Sequence, residues 1–165
     1  MAAKPAASPS DRISASFHAL ADSAALLNSA SDELAKAIRP VDAALKKLNL
    51  GVAAWYAYVD SQDPDSGYWR QRRLGYARVG NKWGLALSTG SGNVNYGEGD
   101  EEEEWLFNDA PRWMRIEAVD HIPELLELLV KQANKVAANL QKKTEHAREL
   151  ADAISALSVA TEARG

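Results

Sequence analysis

The sequence predicts an α+β fold in which long N- and C-terminal helices form an antiparallel helical hairpin or bundle around an inserted small antiparallel β-meander of three to four strands. Three observations predict it. Apolar residues recur with alternating gaps of four and three at both ends of the chain. The middle changes to strand formers, a two-residue turn signal and all five tryptophans. At 165 residues with no cysteine, the chain is long enough to bury a core without disulfides or thiolate metal sites.

Residues 1–9 hold a lysine, two prolines and small residues but no apolar block of signal-peptide length, so they read as a disordered tail. A single domain is expected over residues 10–160. Its first helix, over 11–48, carries Ile13, Phe17, Leu20, Ala24, Leu27, Ser31, Leu34, Ile38, Val41, Leu45 and Leu48, a coiled-coil-type seam with one polar layer. Ser10 and Asp11 are the N-cap candidates, and Asn49 to Gly51 supply the stop. Pro40 predicts a kink near Arg39, because proline removes a helical hydrogen bond and crowds the preceding turn.

A sheet is expected over 52–107. Val52 to Val59 is rich in strand formers, and the runs Tyr68 to Val79 and Lys82 to Thr89 flank Gly80-Asn81, a hairpin signal. The four glycines between Gly90 and Gly99 and the run Asp100 to Glu104 read as an acidic loop over 90–104, followed by a short edge strand at Trp105 to Phe107. A short helix over 110–119 follows, starting near Pro111. The long helix, over 121–158 and capped by Asp120, repeats the seam at Ile122, Leu126, Leu129, Ala133, Val136, Leu140, Lys143, Ala147, Leu150, Ile154 and Leu157. Antiparallel packing of the two seams makes Leu27 and Leu140 core residues. Leu125, Leu128, Ala137 and Ala151 lie off the seam and form a second face, available to the sheet or to a second copy of the chain.

The net charge is −4, and all of the excess acidity sits in residues 51–110, with five basic against ten acidic side chains. A duplex nucleic acid as main partner is therefore disfavoured, since phosphate neutralisation needs a basic surface. The most apolar run, Ile122 to Val130, is interrupted by Pro123, Glu124 and Glu127, so no membrane span is expected. His18, His121 and His146 are scattered, the glycines after Thr89 lack the Gly-Lys-Ser/Thr of a phosphate loop, and no nucleophile elbow is present. No catalytic residue, metal or cofactor is assigned.

The candidate binding residues lie on the hairpin. Period-two alternation puts Arg70, Arg72 and Arg78 on one face with Tyr68, Leu74 and Tyr76, with Lys82 just past the turn, while Arg73 points the other way with Trp69 and Ala77. Such a row suits carboxylate or phosphate groups, and the acidic run is a candidate cover for it. The expected function is that of a non-enzymatic, cytoplasmic, homodimeric protein-interaction or regulatory protein that assembles through its helices, possesses a binding surface on its sheet and engages another protein. The alternative is a sensor that binds a small anionic ligand, nucleotide or nucleic acid through the Arg/Trp-rich hairpin.

Overall fold

A computed structural model of the protein describes residues 8–96 and 101–162, with side chains through residue 159. The expected tail is described only from Ser8, and residues 97–100 of the expected acidic loop lie outside the described residues. The chain divides into two compact units, Met1–Lys47 and Leu48–Gly165.

The first unit holds the helix α1, Pro9–Leu48, up to its last residue. Its cap is Ser8, rather than Ser10 or Asp11. The Ser8 hydroxyl oxygen accepts the Asp11 N–H at 3.1 Å, and the Asp11 carboxylate accepts the Ser8 N–H at 3.3 Å and its hydroxyl at 2.7 Å. This reciprocal box satisfies N–H groups that the first turn leaves open, and Pro9 fits the first helical position because it has no N–H to satisfy. Pro40 does not end the helix, which is continuous through it to Leu48. The helix stops at Asn49 (φ 47°) and Gly51 (φ 64°), left-handed positions suited to a C-terminal cap. Along the seam, Ile38 and Leu45 are buried and Leu34 and Val41 half-buried, whereas Ile13, Phe17, Leu20 and Leu27 are exposed.

The second unit holds a four-stranded antiparallel meander, β1 (Ala54–Gln62), β2 (Tyr68–Val79), β3 (Lys82–Asn93) and β4 (Glu101–Leu106), in sequence order across the sheet. Val79 pairs with Lys82 across Gly80-Asn81, and Gly80 takes a φ of 59°, as the first position of a II′ hairpin turn requires. Two expectations change here. Gly90 to Asn93 are not loop but the end of β3, paired with Gln71 to Tyr68. Glu101 to Glu104 are not loop either, but the outer strand, paired with Ser91 to Ser88. Glutamate is a poor strand former in isolation, yet a charged edge strand is a common device against edge-to-edge association.

The helix α2, Arg112–Ala118, follows a 3₁₀ turn at Phe107–Asp109, and a second 3₁₀ turn, Val119–His121, leads into α3, Ile122–Glu162. Pro111 occupies the N-cap of α2 rather than its first turn, and Asp120 sits inside the second 3₁₀ turn rather than capping α3. α3 packs on β1 and β2, and α2 packs on β3. The core between them contains Leu74, Leu85, Leu87, Met114 and Leu125, all essentially fully buried, with Ala118, Phe107 and Leu129 around them. Each such large side chain contributes about 1.5–3 kcal/mol relative to exposure. Leu125, read as off the seam, thus joins the seam residue Leu129 in tying α3 to the sheet. Beyond Ala133 every described side chain of α3 is exposed. Leu27 and Leu140, expected in the core, are 53% and 62% exposed in the single chain.

Candidate functional site

The hairpin arginines are built on two faces of the sheet. Cross-strand pairs Tyr76 with Leu85 and Leu74 with Leu87 fill the face that α2 and α3 cover. Arg72 lies on this face, and its guanidinium donates to both carboxylate oxygens of Glu117 at 3.0 and 2.7 Å while sitting 4.5 Å from the centroid of the Trp113 ring. The bulge in β1 between Ala57 and Val59 leaves Tyr58 without a cross-strand partner. Its ring instead stacks on His121 at 5.0 Å and 13°, and Tyr56 meets the same imidazole at 5.8 Å. Burial, aided by the nearby Glu117 carboxylate and opposed by Arg72, pushes the Tyr58 phenol above its ordinary pKa. The Tyr58 hydroxyl, Arg72 Nε and His121 Nδ1 are all buried without a hydrogen-bond partner.

The opposite face is made of small residues. Gly75, Ala77, Gly84, Ala86, Ser88, Gly90 and Gly92 follow one another across β2 and β3, all of them buried. Trp55 lies over Gly75 so closely that a Cβ there would be 2.4 Å from its ring, and Trp69 lies over Gly90 at 3.1 Å by the same measure. Arg73 is held on this face by three groups: the Ser88 hydroxyl at 2.9 Å, the Glu102 carboxylate, and the Trp55 ring at 5.3 Å from its centroid.

The residues expected to bind a ligand are therefore dispersed. Arg70 and Arg78 are exposed at the two ends of β2, and Arg78 donates to the Asn81 side chain at 3.1 Å. Between them, Leu74 and Tyr76 are buried, with Tyr76 packed against Trp83 at 5.6 Å. Tyr68 is exposed where β2 begins, and Lys82 is exposed at the turn, where it lines a shallow cleft of about 350 Å³ with Glu104, Trp105 and Asp109. The acidic strand neutralises Arg73, on the other face from the row. Arg72, the central member of the row, is engaged by Glu117 instead. Sequence reasoning missed the Tyr58, Trp113, Glu117 and His121 cluster. The alternation of Tyr56 and Tyr58 and the placement of His121 directly ahead of an apolar helix were the available signals.

Chemically, this cluster pins α2 and the start of α3 to β1 and β2. Among the described residues no group of three or more His, Asp or Glu side chains could hold a metal ion, and no helix is long and apolar enough to cross a membrane. Among the described residues, large apolar side chains are exposed at regular spacing: Val136, Leu140, Leu150, Ile154 and Leu157 on α3, and Ile13, Phe17, Leu20 and Leu27 on α1. The chain matches no family model, no curated protein and no solved structure.

Proposed function

We propose that this is a non-enzymatic, homo-oligomeric interaction protein that assembles through the exposed halves of its two helical seams and presents its sheet to a partner. The observation that carries this reading is the exposure of regularly spaced large apolar residues over most of α3, with Leu140 at 62% and Ile154 at 66%. Apolar strips of this size on otherwise charged helices mark interfaces, and two-fold pairing is the commonest way to cover them. On this reading the hairpin or bundle that the two seams imply forms between chains. The reading extends to a cytoplasmic homodimer whose sheet binds another protein. The rival reading, an anionic ligand held by the hairpin arginines, has less to support it, because Arg72 and Arg73 already hold carboxylates.

Light scattering on the purified chain tests the proposal. The parent is expected at the mass of a dimer, and Leu140→Asp combined with Leu150→Asp is expected at the mass of a monomer with an unchanged circular dichroism spectrum. An Arg70→Ala/Arg78→Ala variant is expected to remain dimeric. A parent that stays monomeric at every concentration contradicts the reading.

A further inference from the structure

We infer that the occupant of the α3 strip is α3 of a second copy, running antiparallel about a two-fold axis close to Glu145. The inference rests on the assembly reading above and specifies its register.

The strip runs from the half-buried Ala133 to the exposed Leu157, a length of roughly 36 Å at 1.5 Å per residue. Antiparallel seams interlock when an "a" position of one helix meets a "d" position of the other. Centred on Glu145, this pairs Ala133 with Leu157, Val136 with Ile154, Leu140 with Leu150 and Lys143 with Ala147, and each pair occurs twice because the axis repeats it. Val136 meets Ile154 and Leu140 meets Leu150, large against large, while Leu157 meets the small Ala133 and the one charged member of the strip meets Ala147. Ala147 leaves room for the Lys143 stem to run out to solvent. Shifting the register by one heptad toward the C-terminus sets Lys143 against Ile154, and shifting it the other way requires Leu129, which is buried against the sheet.

Charge opposes the parallel alternative. Parallel pairing in register brings the two Lys143 ammonium groups into one core layer, which antiparallel pairing avoids. The positions flanking the seam, Asn139, Thr144, His146, Ala151, Ala153 and Ser158, carry no carboxylate, lysine or arginine, so self-pairing meets no like-charge opposition. Lys142, Glu145, Arg148, Glu149 and Asp152 fall on the outward face. A strip of this length and about 10 Å width offers a footprint on the order of 400 Å² per chain. That is about half of the ~800 Å² per partner of a standard interface, so α3 pairing alone gives a weak dimer and the exposed α1 strip is needed to reach a stable one.

Because the chain has no cysteine, introduced pairs report the register directly. Cysteines at 140 and 150 of one helix are roughly 15 Å apart along the axis, beyond the ~7 Å Cα separation a disulfide tolerates, so any bridge in Leu140→Cys/Leu150→Cys joins two chains. Both positions are exposed, so the fold is not at stake. Mild oxidation of the full-length variant at micromolar concentration is expected to give a covalent dimer whose bridging peptide joins 140 to 150, while Leu140→Cys alone gives almost none. Efficient bridging of Leu140→Cys to itself overturns the proposal in favour of parallel pairing. Efficient intrachain bridging in Leu27→Cys/Leu140→Cys overturns it in favour of cover by the chain's own α1. Light scattering on the parent separates the two levels: a monomer there overturns the assembly reading itself, whereas a dimer lacking the 140 to 150 bridge overturns the register alone.

Discussion

Arg72 donates to both carboxylate oxygens of Glu117, at 3.0 and 2.7 Å, and so joins β2 to α2 across 45 residues of sequence. The pair is half-sheltered, with the Arg72 side chain 20% and the Glu117 side chain 42% exposed. A charge-assisted bond in that setting is weaker than a buried one and stronger than a typical surface pair, so Glu117→Ala is expected to cost about 1 kcal/mol. Arg72→Ala is expected to cost about 2 kcal/mol, because it also removes the contact with the Trp113 ring. A double-mutant cycle in urea checks this: the coupling should be about 0.5–1 kcal/mol, and zero coupling means that the contact is incidental.

Tyr58 gives the fold a pH dependence at the alkaline end. Burial favours the neutral phenol, so the folded-state pKa lies above the ordinary value of 10.0. Its stabilising contribution is full below that ordinary value and is lost as the pH rises through the folded-state pKa. Tyr58→Phe keeps the stack on His121 and removes a buried hydroxyl that has no partner. At neutral pH the variant should be as stable as the parent or up to about 1 kcal/mol more stable. Thermal melts across the alkaline range should show a shallower decline for Tyr58→Phe, and parallel declines would remove Tyr58 as the cause.

Two glycines of the β2–β3 hairpin region, Gly75 and Gly80, should respond differently to alanine. At Gly75 a Cβ falls 2.4 Å from the Trp55 ring and 2.8 Å from the Ala54 carbonyl oxygen, so ring and strand must both shift. Gly75→Ala is expected to cost about 1–3 kcal/mol, as overpacking does. At Gly80 the space is open and only the positive φ of 59° opposes a side chain, so Gly80→Ala should cost about 1 kcal/mol. Chemical denaturation with Trp fluorescence resolves the difference, and equal losses would show that Trp55 does not rest on Gly75.

Along α3 the same residue type has two roles. Leu125 is completely buried, whereas Leu140 is exposed. Leu125→Ala should cost about 2–5 kcal/mol in global stability. Leu140→Ala should leave the sheet's stability nearly unchanged while weakening self-association, which hydrogen exchange on the sheet amides and a dilution series measure separately.

How far the sequence disclosed this fold follows from what kind of signal each part left. The seams announced both long helices, because a spacing of four and three specifies a helix face whatever covers it. For the same reason the spacing could not say that Ile38, Leu45 and Leu125 are buried while Leu27 and Leu140 are exposed. Gly80-Asn81 marked the hairpin through its backbone requirement. Gly90 and Gly92 resembled loop residues, but Gly90 is small because the Trp69 ring lies over it in the strand. Glu101 to Glu104 resembled a solvated run since their side chains are poor strand formers, and their place is set by backbone pairing with β3, which leaves no mark in side-chain pattern. The cluster at Tyr58 and His121 depends on a β-bulge and on a helix entry far along the chain, neither of which composition reveals.

The most direct test of the central claim is sedimentation equilibrium of the full chain over a concentration series from nanomolar to high micromolar. Assembly through the exposed helical strips predicts a mass that rises from the 17.9 kDa of one chain to twice that value, with a midpoint that moves to higher concentration in Leu140→Asp and to lower concentration in Lys143→Leu. A mass that stays at 17.9 kDa throughout, in the parent and in Lys143→Leu alike, would contradict the account.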